Sequence, residues 1–171
     1  MLFELIATVT AGFAAAGLVL LIRRFVTLPR WAMPAGAGLA MLAFAIWSEY
    51  SWFDRTTGGL PDGIEVARTV ESTAPWRPWT YAAPFVDRFI AVDLASVRTN
   101  EAVPDQRMVD LLVFQRWTPV GRVRAVFDCA GGRRADLVEG VSFTDDGRIE
   151  GARWVEMGPE DPVFAQACAG V

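Results

Sequence analysis

Few side chains in this 171-residue sequence could do chemistry. Histidine and lysine are both absent. The commonest general base, the commonest metal ligand and the usual partner of a serine or cysteine nucleophile are therefore missing. The five serines, at 48, 51, 72, 96 and 142, sit outside any Gly-x-Ser-x-Gly setting. Carboxylates remain, so a hydrolase built on a carboxylate pair stays formally open, but the acids are scattered and Asp145-Asp146-Gly147 reads first as a hairpin turn. The expectation is a chain without catalytic residues, cofactor or metal. That leaves Cys129 and Cys168 as the pair with chemistry of its own. In an oxidising compartment an even pair forms a disulfide; in a reducing one the two stay buried thiols. The compartment is decided by the first fifty residues.

Residues 1–53 read as a membrane hairpin, about 5–22 and 31–53. Leu5–Ile22 has no charge and only Thr8 and Thr10 as polar interruptions. At about 1.5 Å per residue it can span a hydrocarbon core. It also lacks the polar face that a soluble amphipathic helix shows. The second run, from Trp31 to Trp47, is carried into the headgroup layer by Ser48 to Phe53. Trp31 at one end and Trp47, Tyr50 and Trp52 at the other fit interfacial aromatic belts. Pro34 falls in the first helical turn, where a missing N–H costs little. A buried helical hairpin of a soluble protein is the alternative. A cleaved signal peptide fits poorly, since Glu4 precedes the apolar run and the arginines follow it; the Ala43-Phe44-Ala45 pattern lies inside the second run.

Arg23, Arg24 and Arg30 are the basic side chains of this region, and all lie in the turn. Short basic loops stay cytoplasmic, so the expectation is a bacterial inner-membrane protein with both termini periplasmic and a short cytoplasmic loop. Ala7, Ala11 and Ala14 mark one helix face, Gly36, Ala40 and Ala43 another. Small faces let helices approach closely in lipid. They serve either to pair the two helices or to dock a third one from another protein.

The remainder is long enough for one domain with its own core. Residues 49–171 hold 19 acidic side chains (20 less Glu4) and 13 arginines (16 less three), a net charge of −6. With no basic stripe interleaved with aromatics, nucleic acid is a poor partner. The all-arginine usage reads as codon bias of a GC-rich bacterium. Residues 54–63 (DRTTGGLPDG) look like a linker. The periplasmic domain, 64–171, starts with a short strand over Ile64 to Val70. An irregular stretch bracketed by Pro75, Pro78 and Pro84 follows; its aromatics Trp76, Trp79 and Tyr81 either pack in the core, the favoured reading, or touch headgroups. Strands are then predicted at Phe85–Leu94, Met108–Trp117 and Val123–Cys129, with Ala95–Pro104 a loop. Ala135–Thr144 and Arg148–Met157 form a last hairpin. Asp161-Pro162 caps a two-turn helix carrying Phe164 and Cys168. This is an α+β membrane protein: a helical hairpin plus five or six antiparallel strands closed by a short C-terminal helix. Trp117, Val123, Phe127, Val141, Trp154 and Phe164 are the expected core. A Cys129–Cys168 bridge would close a loop of about 40 residues, for which chain entropy gives roughly 4 kcal/mol.

The run VRAVFDCAGGRRADLVEGVSFTDDGRIEGARWVEM and the ending QACAG resemble the surface-adhesin E-like domains of bacterial envelopes, over about residues 85–169. The resemblance implies a β-meander, Arg133-Arg134 as its basic pair, and a terminal helix tied to the sheet through Cys129 and Cys168. It does not carry host adhesion with it, because a domain tethered about ten residues from an inner membrane cannot reach outside the cell. Three function classes follow. The leading one is a non-enzymatic accessory or stabilising subunit, with the lipid bilayer and an integral inner-membrane complex as its partners. The others are an envelope module binding a protein, lipid or glycan, and a carboxylate-based hydrolase.

Overall fold

A computed structural model describes residues 2–100, 103–138, 140–144, 148–158 and 160–169. The Asp145–Gly147 turn expected from sequence lies outside them. The chain divides into two compact units, Met1–Arg55 and Thr56–Val171.

In the first unit α1 (Leu2–Arg23) and α2 (Ala32–Tyr50) pack against each other. Both are long and apolar enough to cross a membrane. Pro34 sits in the first turn of α2, where its ring is tolerated. The second helix does not run unbroken to residue 53. Ser51 closes α2, its N–H and its hydroxyl both donating to the Trp47 carbonyl. The short helix α3 (Trp52–Thr57) then begins, so Asp54–Thr57 is helical rather than the open linker the composition suggested. Arg55 bridges the junction: its guanidinium donates to the carbonyls of Ser51 and Ser48, and its backbone N–H donates to the Ser51 carbonyl as well.

The second unit is a six-stranded antiparallel meander in the order β1-β2-β3-β4-β5-β8. Its strands are β1 (Ile64–Ser72), β2 (Phe85–Thr99), β3 (Gln106–Gln115), β4 (Gly121–Asp128), β5 (Arg133–Asp136) and β8 (Trp154–Glu156). Between β5 and β8 the chain makes a separate two-stranded ribbon, β6 (Ser142–Phe143) with β7 (Ile149–Glu150). The single long hairpin expected here is thus broken in two. Gly140 and Gly151 adopt positive φ at the breaks, and a Cβ on Gly151 would lie 2.6 Å from the Gly140 carbonyl oxygen. That approach requires glycine at 151, whereas at 140 it is the positive φ that favours glycine.

Register assigns side chains to faces, because strand side chains alternate. Val92 of β2, Val109 and Leu111 of β3, and Ala125 and Phe127 of β4 form one buried face. The helix α4 (Pro162–Ala167) covers it with Val163, Phe164 and Ala167. Asp161 caps α4 through one carboxylate oxygen that accepts the N–H groups of Val163 and Phe164. Cys168, just past the helix, is joined to Cys129 with Cα atoms 5.8 Å apart. On the other face Phe89, Ala91, Leu112, Val126 and Ala135 are buried, and Phe89 stacks on Phe114 at 4.6 Å. The stretch after β1 is irregular, as its prolines dictate. Buried Thr80 ties it by accepting the Ala74 N–H and donating to the Arg77 carbonyl.

Of the expected core, Phe127 and Phe164 are buried, while Val123, Val141 and Trp154 are half-buried. Trp154 lies on the face opposite Phe127, beneath the Arg133 guanidinium at 4.8 Å. Trp117 is a correction. It is 48% exposed, because β3 ends at Gln115 and the residue sits in the following turn. Trp76 and Tyr81 are exposed too, so the favoured core reading of that cluster fails for both.

Two outcomes follow. Phe127→Ala should lower stability by about 3–5 kcal/mol, and Trp117→Ala by no more than about 0.5. Urea unfolding of the full chain, followed by circular dichroism, measures both; similar losses would mean that the strand phase is wrong. Cys168→Ser should leave the sheet amides protected from hydrogen exchange while residues 160–169 lose protection. Unchanged exchange there would show that packing alone holds α4.

Candidate functional site

The sequence marked small residues on the hairpin, and the structure divides them. Ala7, Ala11, Gly36 and Ala40 are half-buried, whereas Ala14 and Ala43 are exposed. Two glycines seat side chains of the facing helix. A Cβ on Gly12 would fall 2.1 Å from Met41 Cε, and one on Gly36 would fall 2.9 Å from Val19 Cγ2. Gly12, the one buried residue of α1, was missed. Its position one turn before Ala15 and Ala16 is the small-x-x-small spacing that could have revealed it. The hairpin therefore uses its small faces first for its own pairing.

Polar groups of this unit are disposed at its ends or turned inward. Thr8 and Thr10 return their hydroxyls to the carbonyls of Glu4 and Ile6. Ser48 donates to Glu4 Oε1 at 3.3 Å, linking α2 to α1. The Arg55 guanidinium lies 5.3 Å from the Trp47 ring. At the opposite end Arg23, Arg24 and Arg30 are exposed. Trp31 and Trp47 are exposed at the two ends of α2, and Tyr50 and Trp52 are half-buried.

In the β domain a groove lies on the sheet face away from α4. Strand pairing builds it row by row. Asp93, Asp110 and Arg124 are consecutive cross-strand neighbours, and Arg98, Met108, Val126 and Ala135 form the next row. The rows meet because β2 carries extra residues between Asp93 and Arg98. Ser96 staples this irregularity, donating to the Asp93 carbonyl and accepting the Asp110 N–H. Sequence reading had placed a loop from Ala95 onward; the staple lets β2 resume pairing and delivers Arg98 opposite Met108.

Two compartments follow, meeting at Arg98 and Met108. One of about 80 Å³ is lined by Ala95, Ser96, Asp110 and Arg124. The other, of about 160 Å³, is lined by Thr99, Asn100, Gln106, Val126 and Phe143. Phe143 comes from the inserted ribbon. Gln106 Oε1 is buried there without a hydrogen-bond partner among the described residues. A depression of about 240 Å³ also lies on the α4 side, at Val155 and Met157, but its charged residues Arg134 and Asp136 already pair with each other.

Charge is the groove's distinguishing property. Buried Asp110 accepts from Arg124 Nε at 2.8 Å and has Arg122 Nη1 at 3.8 Å. The Arg124 hydrogen bond holds its carboxyl below the usual range against the cost of burial, and the charges of Arg124, Arg122 and Arg98 add to it. Two aspartates opposite each other in register would otherwise repel. Asp93 turns its own carboxylate to the Ala95 N–H. Of the two states that a hydrolytic carboxylate pair needs, one protonated and one ionised, Asp110 is biased to the ionised one. The chemistry on offer is anion binding beside an apolar floor. In the sequence Arg122, Arg124 and Asp110 fall in or beside separate predicted strands, with nothing to join them. What would join them was the register, which periodicity does not give.

No family model, curated protein or solved structure matches the chain.

A pH measurement tests the Asp110 assignment. Its ordinary value is 3.8 and the folded value is lower. The unfolded chain therefore binds the proton first as pH falls, and stability rises with pH across that window. The contribution should be complete above the ordinary value and vanish as pH drops through the folded one. Asp110→Asn should lower stability at neutral pH and flatten the acid limb of the stability profile. An acid limb identical to wild type would remove the ion pair from the account.

Proposed function

We propose that this is a bacterial inner-membrane protein whose hairpin anchors the β domain on the periplasmic side, acting as a non-enzymatic accessory or stabilising subunit of a larger membrane complex. The observation that carries it is the surface of the hairpin. Bulky apolar side chains, among them Leu5, Phe13, Leu18, Leu20, Leu39 and Leu42, face outward along both helices. The Thr8 and Thr10 hydroxyls are spent on carbonyls within their own helix, as lipid requires. Arg23, Arg24 and Arg30 cluster at one end, against Arg55 at the other, and the larger basic cluster favours the cytoplasm for its end. A cleaved leader suits this arrangement poorly, since α1 supplies Gly12 as the seat of Met41. After the helices have paired, Ala14 and Gly17 remain outward, one turn apart on α1. A Cβ on Gly17 would meet nothing within 4 Å, which leaves room for a foreign helix.

The groove favours a second reading, a periplasmic binding module, in which the hairpin is only a tether. The two differ in where a partner is held. Native membranes solubilised in mild detergent should yield the chain within a larger complex, and Ala14→Leu with Gly17→Leu should release it. A chain that migrates alone under those conditions argues for the tether. Reporter fusions after residue 169 should be active outside the cytoplasm and inactive inside it. Cytoplasmic activity reverses the topology.

A further inference from the structure

We propose that the groove on the β domain binds a short-chain organic acid, its carboxylate between Arg98 and Arg124 and its chain on Met108, Val126 and Phe143. This gives the binding-module reading a ligand class and rests on it.

Charge complementarity comes first. Asp110 is engaged with Arg124 and Arg122. Arg98 makes no ion pair among the described residues, yet it borders both compartments. An anion placed in the smaller compartment would meet the fork of Arg98, with the positive charge of Arg124, whose Nε and Nη2 already serve Asp110, contributed from β4. The Ser96 hydroxyl already has its donor and acceptor roles filled, so it acts as a fixed wall rather than a competing ligand.

Size and polarity set the rest. A water-sized group occupies about 30 Å³. The smaller compartment then holds roughly a carboxylate, and the larger about five methylene-sized groups. Met108, Val126 and Phe143 give that larger space an apolar floor and side wall. An acid of about six carbons fits, whereas the acyl chain of a membrane phospholipid is several times too long. The ribbon thus has a use: Phe143, 53% exposed, sits where it can close over a chain.

The test uses the full chain in nanodiscs of phosphatidylcholine, with hexanoate as the probe and empty discs as the blank, read by ligand-observed NMR. Saturable binding above the blank is expected. Acetate, which lacks the chain, and hexanol, which lacks the charge, should each bind about tenfold more weakly. Arg98→Glu should also weaken hexanoate about tenfold, Phe143→Ala about fivefold, and Arg98→Lys less than either. Both positions are exposed, and an unchanged melting temperature confirms that the variants are folded. No saturable binding, or equal binding by wild type, Arg98→Glu and Phe143→Ala, would overturn the proposal. So would loss of hexanoate binding when phosphatidylglycerol is added to the discs, since an anionic lipid would then be the occupant. Because the probe reads the groove and not the hairpin, a chain with no membrane partner still gives a decisive result.

Discussion

A helix of six residues does not persist in water, because the cost of nucleation is not recovered before the helix ends. α4 forms because three things act on it together. Asp161 satisfies two of its orphan N–H groups, Phe164 packs at 6.2 Å from Phe127, and Cys168 is tied to the strand end at Cys129. The sheet depends on the helix in return, since Val109, Leu111 and Ala125 would face water without it. One face of the meander is thereby closed by a segment at the far end of the sequence. Among the described residues no α-helix covers the other face; Phe89 stacks there on Phe114, Arg77 of the irregular stretch lies over Phe85, and Phe143 of the ribbon lines its groove. Where those contacts stop, the groove remains.

Much of this was legible in residue order. Period-two alternation around Phe127 and the Asp-Pro start of α4 are local signals, and local signals need only neighbouring residues to be read. The paired cysteines were legible for a different reason, since an even count and an apolar anchor were enough to expect closure. What could not be read was whatever depends on strand register. Trp117 looked like the end of an apolar strand, yet nothing in its neighbourhood says that β3 stops two residues earlier. Arg98, Met108 and Val126 share a row only because β2 carries an irregularity stapled by Ser96. A hydroxyl that bonds to a backbone fourteen residues away leaves no periodic trace. The split hairpin at Gly140 and Gly151 is an intermediate case: both glycines are visible, but their mutual approach is tertiary.

The hairpin shows how small residues divide their service. In the membrane placement proposed above, lipid supplies no hydrophobic force to push two apolar helices together, so close packing must do it. Gly12 under Met41 and Gly36 under Val19 provide that contact. The alanines picked out beforehand were chosen by type and face, whereas Gly12 and Gly36 are where side chains of the facing helix seat against the backbone. Polar side chains follow the same economy of position. Glu4 and Ser48 meet across the helices at one end, and the three arginines lie at the other. A surface of that kind is stable where its middle is in hydrocarbon and its ends are wet.

The charges of the groove follow from a constraint of the sheet. Asp93 and Asp110 stand opposite each other on β2 and β3, a pairing that costs stability unless counter-charges are at hand. Arg124, the cross-strand neighbour of Asp110, supplies the first, and Arg122 the second at longer range. Neutralising a buried carboxylate needs only one well-placed guanidinium, and Arg124 makes that contact through two nitrogens. Arg98 is then surplus to the sheet's electrostatics, although its charge still favours the ionised Asp110. A cation left beside an apolar floor, on a domain whose net charge is negative, is poorly explained by folding alone. Solubility does not require it, since the acidic excess already provides that. Its placement on the boundary between a polar and an apolar compartment makes sense for a ligand that has one end of each kind.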